Sequence, residues 1–226
     1  MDGVCGRACV NGKSAAIVVF DFVEYLGPFD EQVYAFTRNI KEAHVLVPPP
    51  DWVEEIKRRF GGTYEEYIRT AFAPLDVDSE DVRQINGEQS PLRIDGDIVE
   101  IKPIDGGIER ELMKEHWSMD IVCNTMMDTG LGGFGFAAVL NGKILGGIGC
   151  YTRYADGIEV EIDTHEDFRR KGVATALAKR MIKECRNRGV ECHWDAMNKE
   201  SAALARKLGF QKTKEYLCVR LAYKNT

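Results

Sequence analysis

The sequence predicts an α/β protein: a mixed sheet with helices on both faces, preceded by a smaller N-terminal α/β unit. Three observations predict this fold class. An apolar fraction of 44% over 226 residues is ordinary for a globular chain and suffices for one or two cores. Strand-like and helix-like segments alternate in the C-terminal part. A polar, turn-rich stretch at 74–97 separates that part from the first, so we expect two units, 1–96 and 97–226.

The N-terminal unit is expected to mix strands and helices. Asn11-Gly12 predicts a hairpin turn, and Gly27-Pro28 ends the β-rich run that follows it. Asp51 and Thr63 are the residue types that cap helix N-termini, and each precedes a segment with helical spacing. The expected elements are a strand-rich run at 15–26, a helix at 30–41, a strand at 43–47 and helices at 52–60 and 64–72.

The C-terminal unit is patterned more strongly. Asn141-Gly142 between two apolar runs predicts a type I′ hairpin, because both residues tolerate positive φ. Gly189 is expected to end a long helix. The expected elements are a strand at 98–101, a helix at 108–121, hairpin strands at 134–140 and 143–154, a strand at 158–164, a helix at 172–188, a strand at 192–196, a helix at 201–208 and a strand at 216–223.

Charge and cysteine usage exclude several functional classes. The formal net charge is −6, and residues 1–96 carry −7 of it, the opposite of what a nucleic-acid binder needs. The acidic surface either serves solubility or attracts a cationic partner. The seven cysteines are scattered without a CxxC pair, so we expect no metal site, no disulfide framework and a reducing cytoplasmic location. No membrane span or export signal is expected, since no apolar run approaches about 18 residues.

The most informative segment joins the strand at 158–164 to the following helix. Backbone N–H groups in such a turn converge, and the helix N-terminus adds partial positive charge, so a diphosphate fits there. Gly172 and Ala174 are small where phosphate oxygens must approach, and Arg169, Arg170 and Lys171 add cationic charge. A solvated basic helix start gives the same pattern. A Walker A loop lacks its first glycine here, and no G-x-G-x-x-G follows a strand, so nucleoside triphosphate and dinucleotide binding are not expected.

Two motifs together resemble those of the GNAT superfamily of N-acetyltransferases. Arg169-x-x-Gly172-x-Ala174 is similar to the acetyl-CoA signature (Q/R)-x-x-G-x-(G/A) of that superfamily. Downstream, WDAMN at 194–198 and LARKLGF at 204–210 resemble its later strand, its asparagine and the end of its last helix. The resemblance implies a GNAT fold, and acetyl-CoA as the acyl donor.

The resemblance covers residues 98–223, which are nearly all of the expected C-terminal unit. The pattern WDAxNxxSxxLAxKLGF, together with an extra N-terminal unit, is similar to a bacterial subgroup of GNAT proteins. Residues 1–96 contain no motif that assigns them a role.

The resemblance also implies specific contacts with CoA. The backbone of Ile162, Asp163 and Thr164 would pair with the pantetheine amides like an added strand. Asn198 would bind the pantetheine arm and Ser201 would lie near the thiol, although both can equally be helix caps. The pyrophosphate would be held by main-chain amides of Arg169, Arg170, Lys171, Gly172, Val173, Ala174 and Thr175.

The expected reaction is direct transfer of an acetyl or short acyl group to an amine in a ternary complex. An amine with a pKa of about 10.4 must first lose a proton to a base. Strand alternation puts Glu159, Glu161 and Asp163 on one face, which predicts a wet acidic cleft for a small, cationic amine. A solvent-exposed face without chemistry is the alternative. Glu161 is the favoured base and Glu159 the second choice.

The acid that protonates the leaving thiolate is not evident. The resemblance implies a tyrosine four residues before the glycine of KLGF, but that position is Ala205. Tyr216 or a water would replace it, or the thiolate leaves unaided. Cys192, beside His193, is expected to be a buried strand residue rather than an acyl-accepting thiol.

The missing tyrosine leaves a second function open: a non-catalytic acyl-CoA-binding sensor or structural module. The oligomeric state is also open, with a homo-oligomer among the options. Neither nucleic acid nor a membrane is expected as a partner.

Overall fold

The computed structural model describes residues 6–40, 44–85, 90–125 and 132–222, without the side chains of 81, 85 and 123–125. It divides into two compact units. The described residues up to 70 and from 214 onward form the first unit, and Ala71–Thr213 form the second. This division differs from the expected one at 96/97 in two respects. The described residues of 71–96 belong to the second unit, whose core contains Leu75, Val82 and Ile94, and the last strand of the chain returns to the first unit. A sequence pattern gives no sign of that return.

Strands and helices alternate along most of the described chain. In order they are β1 Gly6–Asn11, β2 Ser14–Val19, β3 Phe22–Leu26, α1 Glu31–Arg38, β4 Val45–Val47, α2 Pro50–Arg59, β5 Thr63–Phe72, α3 Glu80–Ile85, β6 Arg93–Ile94, β7 Asp97–Ile98, β8 Glu100–Pro103, α4 Gly106–Leu112, α5 Met119–Thr125, β9 Gly135–Leu140, β10 Lys143–Tyr154, β11 Gly157–Thr164, α6 Val173–Arg188, β12 Glu191–His193, β13 Asp195–Ala196, α7 Lys199–Lys207 and β14 Lys212–Ala222. Two 3₁₀ turns, His116–Ser118 and Glu166–Phe168, precede α5 and α6.

In the first unit the strands lie in the order β1-β2-β3-β4-β14-β5. The hairpin predicted at Asn11-Gly12 is confirmed, with Asn11 opposite Ser14 across the turn. Trp52 of α2 is fully buried, and its ring stacks on Tyr25 with centroids 4.2 Å apart. The predicted helix over 30–41 is α1, whose N-cap is Asp30. Two apolar surfaces, one on the sheet and one on the helices, therefore form this core.

The helix expected at 64–72 is wrong: these residues form the strand β5, Thr63–Phe72. Thr63 is accordingly the first residue of a strand and not a helix cap. The segment is rich in β-branched and aromatic residues, and at its end Thr70 and Phe72 are buried while Ala71 between them is less so. This alternation is typical of a strand with one covered face.

The N-cap expected at Asp51 is also wrong, because the observed N-cap lies two residues earlier. Helix α2 begins at Pro50, its N-cap is Pro49, and proline at a first helical position needs no partner for an N–H. Asp51 lies in the first turn and accepts a hydrogen bond from the Phe29 N–H at 3.0 Å. The carboxylate thus joins the helix to the preceding loop.

In the second unit five strands lie in the order β12-β11-β10-β9-β8. The β9–β10 hairpin is confirmed as type I′, with φ of 50° at Asn141 and 81° at Gly142. A Cβ on Gly146 would lie 3.0 Å from Val173 of α6, and one on Gly147 would lie 3.1 Å from Ile121 of α5. Neighbouring strand residues point to opposite faces, so α5 and α6 cover opposite faces of this sheet. The predicted mixed sheet with helices on both faces is confirmed.

Three segments differ in detail from what was expected. The helix expected at 108–121 is two helices, α4 and α5, because the chain turns at Ser118, whose Oγ donates to Leu112 O at 2.6 Å. The stretch at 74–97 contains the helix α3 and the strand pair β6–β7. The strand expected at 192–196 is divided into β12 and β13.

Within the described ranges, no helix combines the length and the apolar character that crossing a bilayer requires.

Candidate active site

Strands β11 and β12 run parallel for three residue pairs and then separate. The last pair is Glu159 with His193. After it β11 continues to Thr164, whereas the chain beyond β12 turns away: Phe72 N–H donates to Trp194 O at 3.2 Å, in an antiparallel pairing. In the described part of the chain, residues 160–164 of β11 therefore have no strand neighbour on this side. We call these residues the open edge, and such an edge accepts an extended ligand through main-chain hydrogen bonds.

The open edge leads into the turn formed by residues 169–175, here called the 169–175 turn. The backbone takes positive φ twice in it, 63° at Arg170 and 89° at Gly172. The first helical hydrogen bond runs from Ala176 N–H to Gly172 O at 3.0 Å, so the N–H groups before it have no intrahelical acceptor. No side chain of the described residues caps this helix start. Converging free amides at the positive end of a 16-residue helix form an anion-binding concavity.

The basic side chains of the turn have different surroundings. Arg169 Nε donates to Thr164 O at 3.0 Å, and its guanidinium lies 3.7 Å from Asp163 Oδ1, so this residue ties the turn to the end of β11. Lys171 Nζ lies 5.2 Å from the centre of the Phe168 ring. Arg170 is exposed. Of these three basic side chains, Arg169 is thus held in place by contacts with β11.

Thr164 has a buried hydroxyl at the junction of the open edge and the turn. The residue is 7% exposed, and its Oγ1 has no hydrogen-bond partner among the described residues. Buried hydroxyls are nearly always hydrogen-bonded in folded proteins. An unsatisfied hydroxyl here fits a ligand that brings its own polar atoms to the end of β11.

The predicted alternation along β11 is confirmed. Val160 and Thr164 are buried, whereas the three carboxylates Glu159, Glu161 and Asp163 are half-buried on the opposite face, here called the acidic face. Across the sheet, Glu161 lies opposite Gly149 of β10, and Asp163 lies opposite Gly147. The β10 residues directly opposite these two carboxylates therefore have no side chain.

The carboxyl of Asp163 lies in a mixed environment. Burial raises its pKa, and the charge of Asp120 on α5 acts in the same direction. The Thr164 N–H, at 2.6 Å from Oδ1, and the Arg169 guanidinium oppose this effect. A carboxyl with a raised pKa on a half-buried face is typical of functional sites, although structural networks produce it as well.

Asn198 and Ser201 occupy the start of α7. Asn198 is its N-cap, and its Oδ1 accepts from Ser201 N–H at 2.8 Å. Ser201 Oγ accepts from Trp194 Nε1–H at 3.0 Å. The capping alternative is thus what the structure contains, while Asn198, which is exposed, keeps an amide donor for other partners.

The position of the missing tyrosine and the other residues considered near the thiol are found in both units. Ala205 is fully buried in the core against which α7 packs. Tyr216 belongs to β14 in the first unit, whereas Glu161 belongs to the second. Cys192 is buried as expected, and a hydrogen bond with Cys185 that favours the neutral thiol, together with burial, raises its thiol pKa.

The sequence analysis did not single out His193 as a functional residue. Its Nε2 lies 2.9 Å from Glu191 Oε2, and its ring meets the Tyr154 ring edge-on with centroids 5.4 Å apart. Burial raises the pKa of Tyr154, and the charge of Glu159 adds to this effect. The available signal was the spacing of Glu191 and His193, since two residues apart on a strand means one face.

The comparisons with known proteins agree with this geometry. The family model of the GNAT acetyltransferases matches residues 1–219. The chain is 26% identical over 199 residues to the uncharacterized N-acetyltransferase YdfB of Bacillus subtilis, covering 87% of this chain and 71% of that protein. A GCN5-related N-acetyltransferase-like protein from Streptococcus suis is 26% identical, with a TM-score of 0.80 over 98% of this chain and 90% of that one.

A conserved protein of unknown function from Staphylococcus epidermidis has the same fold, with a TM-score of 0.63 at 8% identity, covering 98% of this chain and 96% of that one. The family model extends over both units and not only over residues 98–223, where the sequence motifs lie. The chain belongs to the GNAT acetyltransferase family.

Proposed function

We propose that this protein transfers an acetyl or another short acyl group from CoA to an amine in a ternary complex. The observation that carries the proposal is the 169–175 turn, with its uncapped amides at the start of α6, placed directly after the open edge of β11. A diphosphate suits the turn, and an extended arm with amides suits the edge. CoA contains both groups in that order.

The acyl donor would lie along the open edge. Main-chain groups of Ile162, Asp163 and Thr164 would pair with the two pantetheine amides, and the Thr164 hydroxyl would gain a partner. Asn198 would donate its side-chain amide to the arm, since its Oδ1 is already bonded to Ser201 N–H. The diphosphate would accept from amides of Arg170, Lys171, Gly172, Val173, Ala174 and Thr175. The Arg169 N–H, which the resemblance also assigns to the diphosphate, already donates to Glu166 O at 3.3 Å.

The acidic face would prepare the acceptor. Glu161 would take a proton from the incoming ammonium group, directly or through water, and Glu159 is the second candidate. The neutral amine nitrogen then bonds to the acyl carbon while the carbon–sulfur bond breaks and the electron pair stays on sulfur. A main-chain N–H near Ile162 would stabilise the developing oxyanion. Three carboxylates on one face favour a small cationic amine, such as a polyamine, an amino sugar or a peptide amine.

Turnover with a panel of amines tests the proposal. Thiol release from acetyl-CoA is followed with a chromogenic disulfide, with an amine-free blank for each condition. At least one cationic amine should raise the rate, and Glu161→Gln should lower kcat by about 10²- to 10⁴-fold, the usual contribution of a general base. Glu54→Gln, at an exposed position of α2, is the control that keeps full activity. Unchanged turnover of every amine after Glu161→Lys would exclude the acidic face from the reaction.

A second candidate function is a non-catalytic acyl-CoA-binding module. The observation that favours it is Ala205, a fully buried methyl at the position where the resemblance implies an acidic tyrosine. Thermal stabilisation by acetyl-CoA without turnover of any amine would support this candidate and refute transfer.

A further inference from the structure

We propose that His193, oriented by Glu191, is the acid that protonates the departing CoA thiolate. The inference rests on the proposed acyl transfer and supplies the group that Ala205 cannot. It is carried by where β11 and β12 separate and by the hydrogen bond between Glu191 and His193.

The direction of β11 fixes which end of the open edge meets the reacting group. The strand runs from Gly157 to Thr164 and then enters the 169–175 turn, so an arm anchored at the turn extends backwards along residues 160–164. At about 3.3 Å per residue these five residues span roughly 16 Å, which suits an extended arm with two amides. The gap closes at the pair of Glu159 and His193. The thioester is therefore brought to that pair.

The His193 side chain shares the acidic face of the sheet. Residues paired in register between parallel strands point to the same side, so His193 lies beside Glu159. Cys192, the preceding residue, points to the other side and is fully buried. His193 is thus the β12 residue that faces the same space as the proposed base.

The surroundings of the ring leave one nitrogen for a ligand. Glu191 Oε2 lies 2.9 Å from Nε2, which fixes the orientation of the ring and leaves Nδ1 as the second donor of the imidazolium. From β10, Tyr154 contacts the ring edge-on. Arg153, also on β10, donates to Gly157 O at 2.8 Å and to Tyr154 O. From β11, Glu159 is the carboxylate next to the ring.

Two other proton-bearing groups of this region suit the role less well. Ser201 Oγ accepts from Trp194 Nε1–H and keeps its own proton, but an alcohol is a far weaker acid than an imidazolium. The Cys192 thiol is buried against Cys185. His193, with a side chain 25% exposed, combines access with a titratable proton.

His193 would donate its proton as the thiolate leaves. When the amine nitrogen bonds to the acyl carbon and the carbon–sulfur bond breaks, sulfur keeps the electron pair. His193 Nδ1 gives its proton to that sulfur and becomes neutral. The proton that the amine first gave to Glu161 leaves to solvent. After it bonds to the acyl carbon, the nitrogen carries two protons and a positive charge, and it loses one of these protons to solvent. Solvent returns one proton to His193. The net products are the amide, the CoA thiol and one proton.

Alkylation by bromoacetyl-CoA tests the placement without any acceptor. The imidazole nitrogen would attack the bromomethylene carbon and expel bromide, leaving a stable adduct that peptide mass spectrometry locates. We expect one adduct per chain on His193, protection by excess acetyl-CoA, and no adduct in the His193→Gln variant. An adduct elsewhere with His193 unmodified overturns the inference. If acetyl-CoA neither binds nor protects, the proposed function itself fails, which is a different outcome.

Steady-state kinetics with an amine that the panel identifies test the role. His193→Gln should lower kcat about 100-fold at a KM for acetyl-CoA within two-fold of wild type, and should remove the alkaline limb of the kcat–pH profile. Glu191→Gln, which keeps a hydrogen-bond acceptor for His193, should lower kcat less than Glu191→Ala does. His44→Gln, at a histidine 3.7 Å from Asp21 in the first unit, is the matched control. An unchanged kcat and an intact alkaline limb in His193→Gln contradict the assignment.

Discussion

The carboxylates of β11 differ in what surrounds them, although they share one face. Asp163 accepts from the N–H of Thr164 and lies 3.7 Å from the Arg169 guanidinium. Both Asp163 and Glu161 lie opposite glycines of β10, so the contacts with Thr164 and Arg169 are what set Asp163 apart. Asp163 sits at the end of the strand, where it shapes the start of the 169–175 turn. The base is for this reason assigned to Glu161 and not to its neighbour on the same face.

The raised pKa of Asp163 predicts that removing its charge stabilises the folded protein, by an amount that depends on pH. Because burial favours the protonated carboxyl in the folded state, ionisation above the folded-state pKa destabilises the fold. Asp163→Asn keeps the acceptor for Thr164 N–H and should raise the Tm at pH 7 by less than about 4 °C, the shift that 1 kcal/mol produces in a chain of this size. The difference should shrink as the pH falls through the folded-state pKa and should be gone below about 3.9, the unperturbed value. Thermal unfolding of both proteins from pH 3 to 8 measures it, and a lower Tm for the variant at pH 7 would contradict the burial argument.

The two ends of α6 offer a matched comparison for the 169–175 turn. Gly172 at the N-terminal end and Gly189 at the C-terminal end both have positive φ, 89° and 64°. Alanine at either position should cost about 1 kcal/mol of backbone strain. Only Gly172→Ala also alters the 169–175 turn: its methyl group would lie 3.3 Å from Leu92 Cδ1, whereas a methyl group at position 189 meets nothing within 4 Å.

We therefore expect a fall in Tm for both variants, somewhat larger for Gly172→Ala because Leu92 must also move, and different affinities for acetyl-CoA. Gly172→Ala should bind at least ten-fold more weakly than wild type, and Gly189→Ala should bind normally. Calorimetric titration of both variants decides this. Equal affinities would mean that the turn does not hold the cofactor.

Elements that are bounded by turn-forming or helix-ending residues were predictable from the sequence. Asn141-Gly142 fixes the hairpin and Gly189 ends α6, because these residues adopt positive φ at little cost. The segment of β5 was misread because Glu65, Glu66 and Arg69 are good helix formers, and its pairing with strands distant in sequence overrides that preference. Helix α2 lies where expected, although it begins two residues earlier and ends one residue earlier than predicted.

The site was predictable only in part for a similar reason. The 169–175 turn and the acidic face follow from neighbouring residues, so the sequence pattern indicates both. The separation of β12 from β13 depends on Phe72, which pairs with Trp194 far along the chain. Without that pairing, the open edge and the position of His193 at its end are not visible in the sequence.

The return of the chain end to the first unit has a consequence for fragments. Strand β14 lies between β4 and β5, and its Val219 is fully buried in the core of that unit. A fragment of residues 1–96 lacks this strand, so it should give the poorly dispersed amide spectrum of an unfolded chain. Its use alone as bait for a partner protein would then be uninformative.

A rearranged fragment provides the control. Thr213 Oγ1 donates to Ala71 O at 3.0 Å, so a turn of a few residues can join 71 to 213 directly. Residues 1–71 linked in this way to 213–226 should fold cooperatively. A dispersed spectrum from 1–96 alone would show that β14 is dispensable for this core.

The proposed acyl transfer depends on main-chain amides at the start of α6 binding the diphosphate of CoA. Calorimetric titration of the full chain with acetyl-CoA and with acetyl-pantetheine, which has the arm and the thioester but no diphosphate, tests this most directly. We predict one acetyl-CoA per chain, bound at least 100-fold more tightly than acetyl-pantetheine. Equal affinity for the two compounds, or no binding of acetyl-CoA, would contradict it.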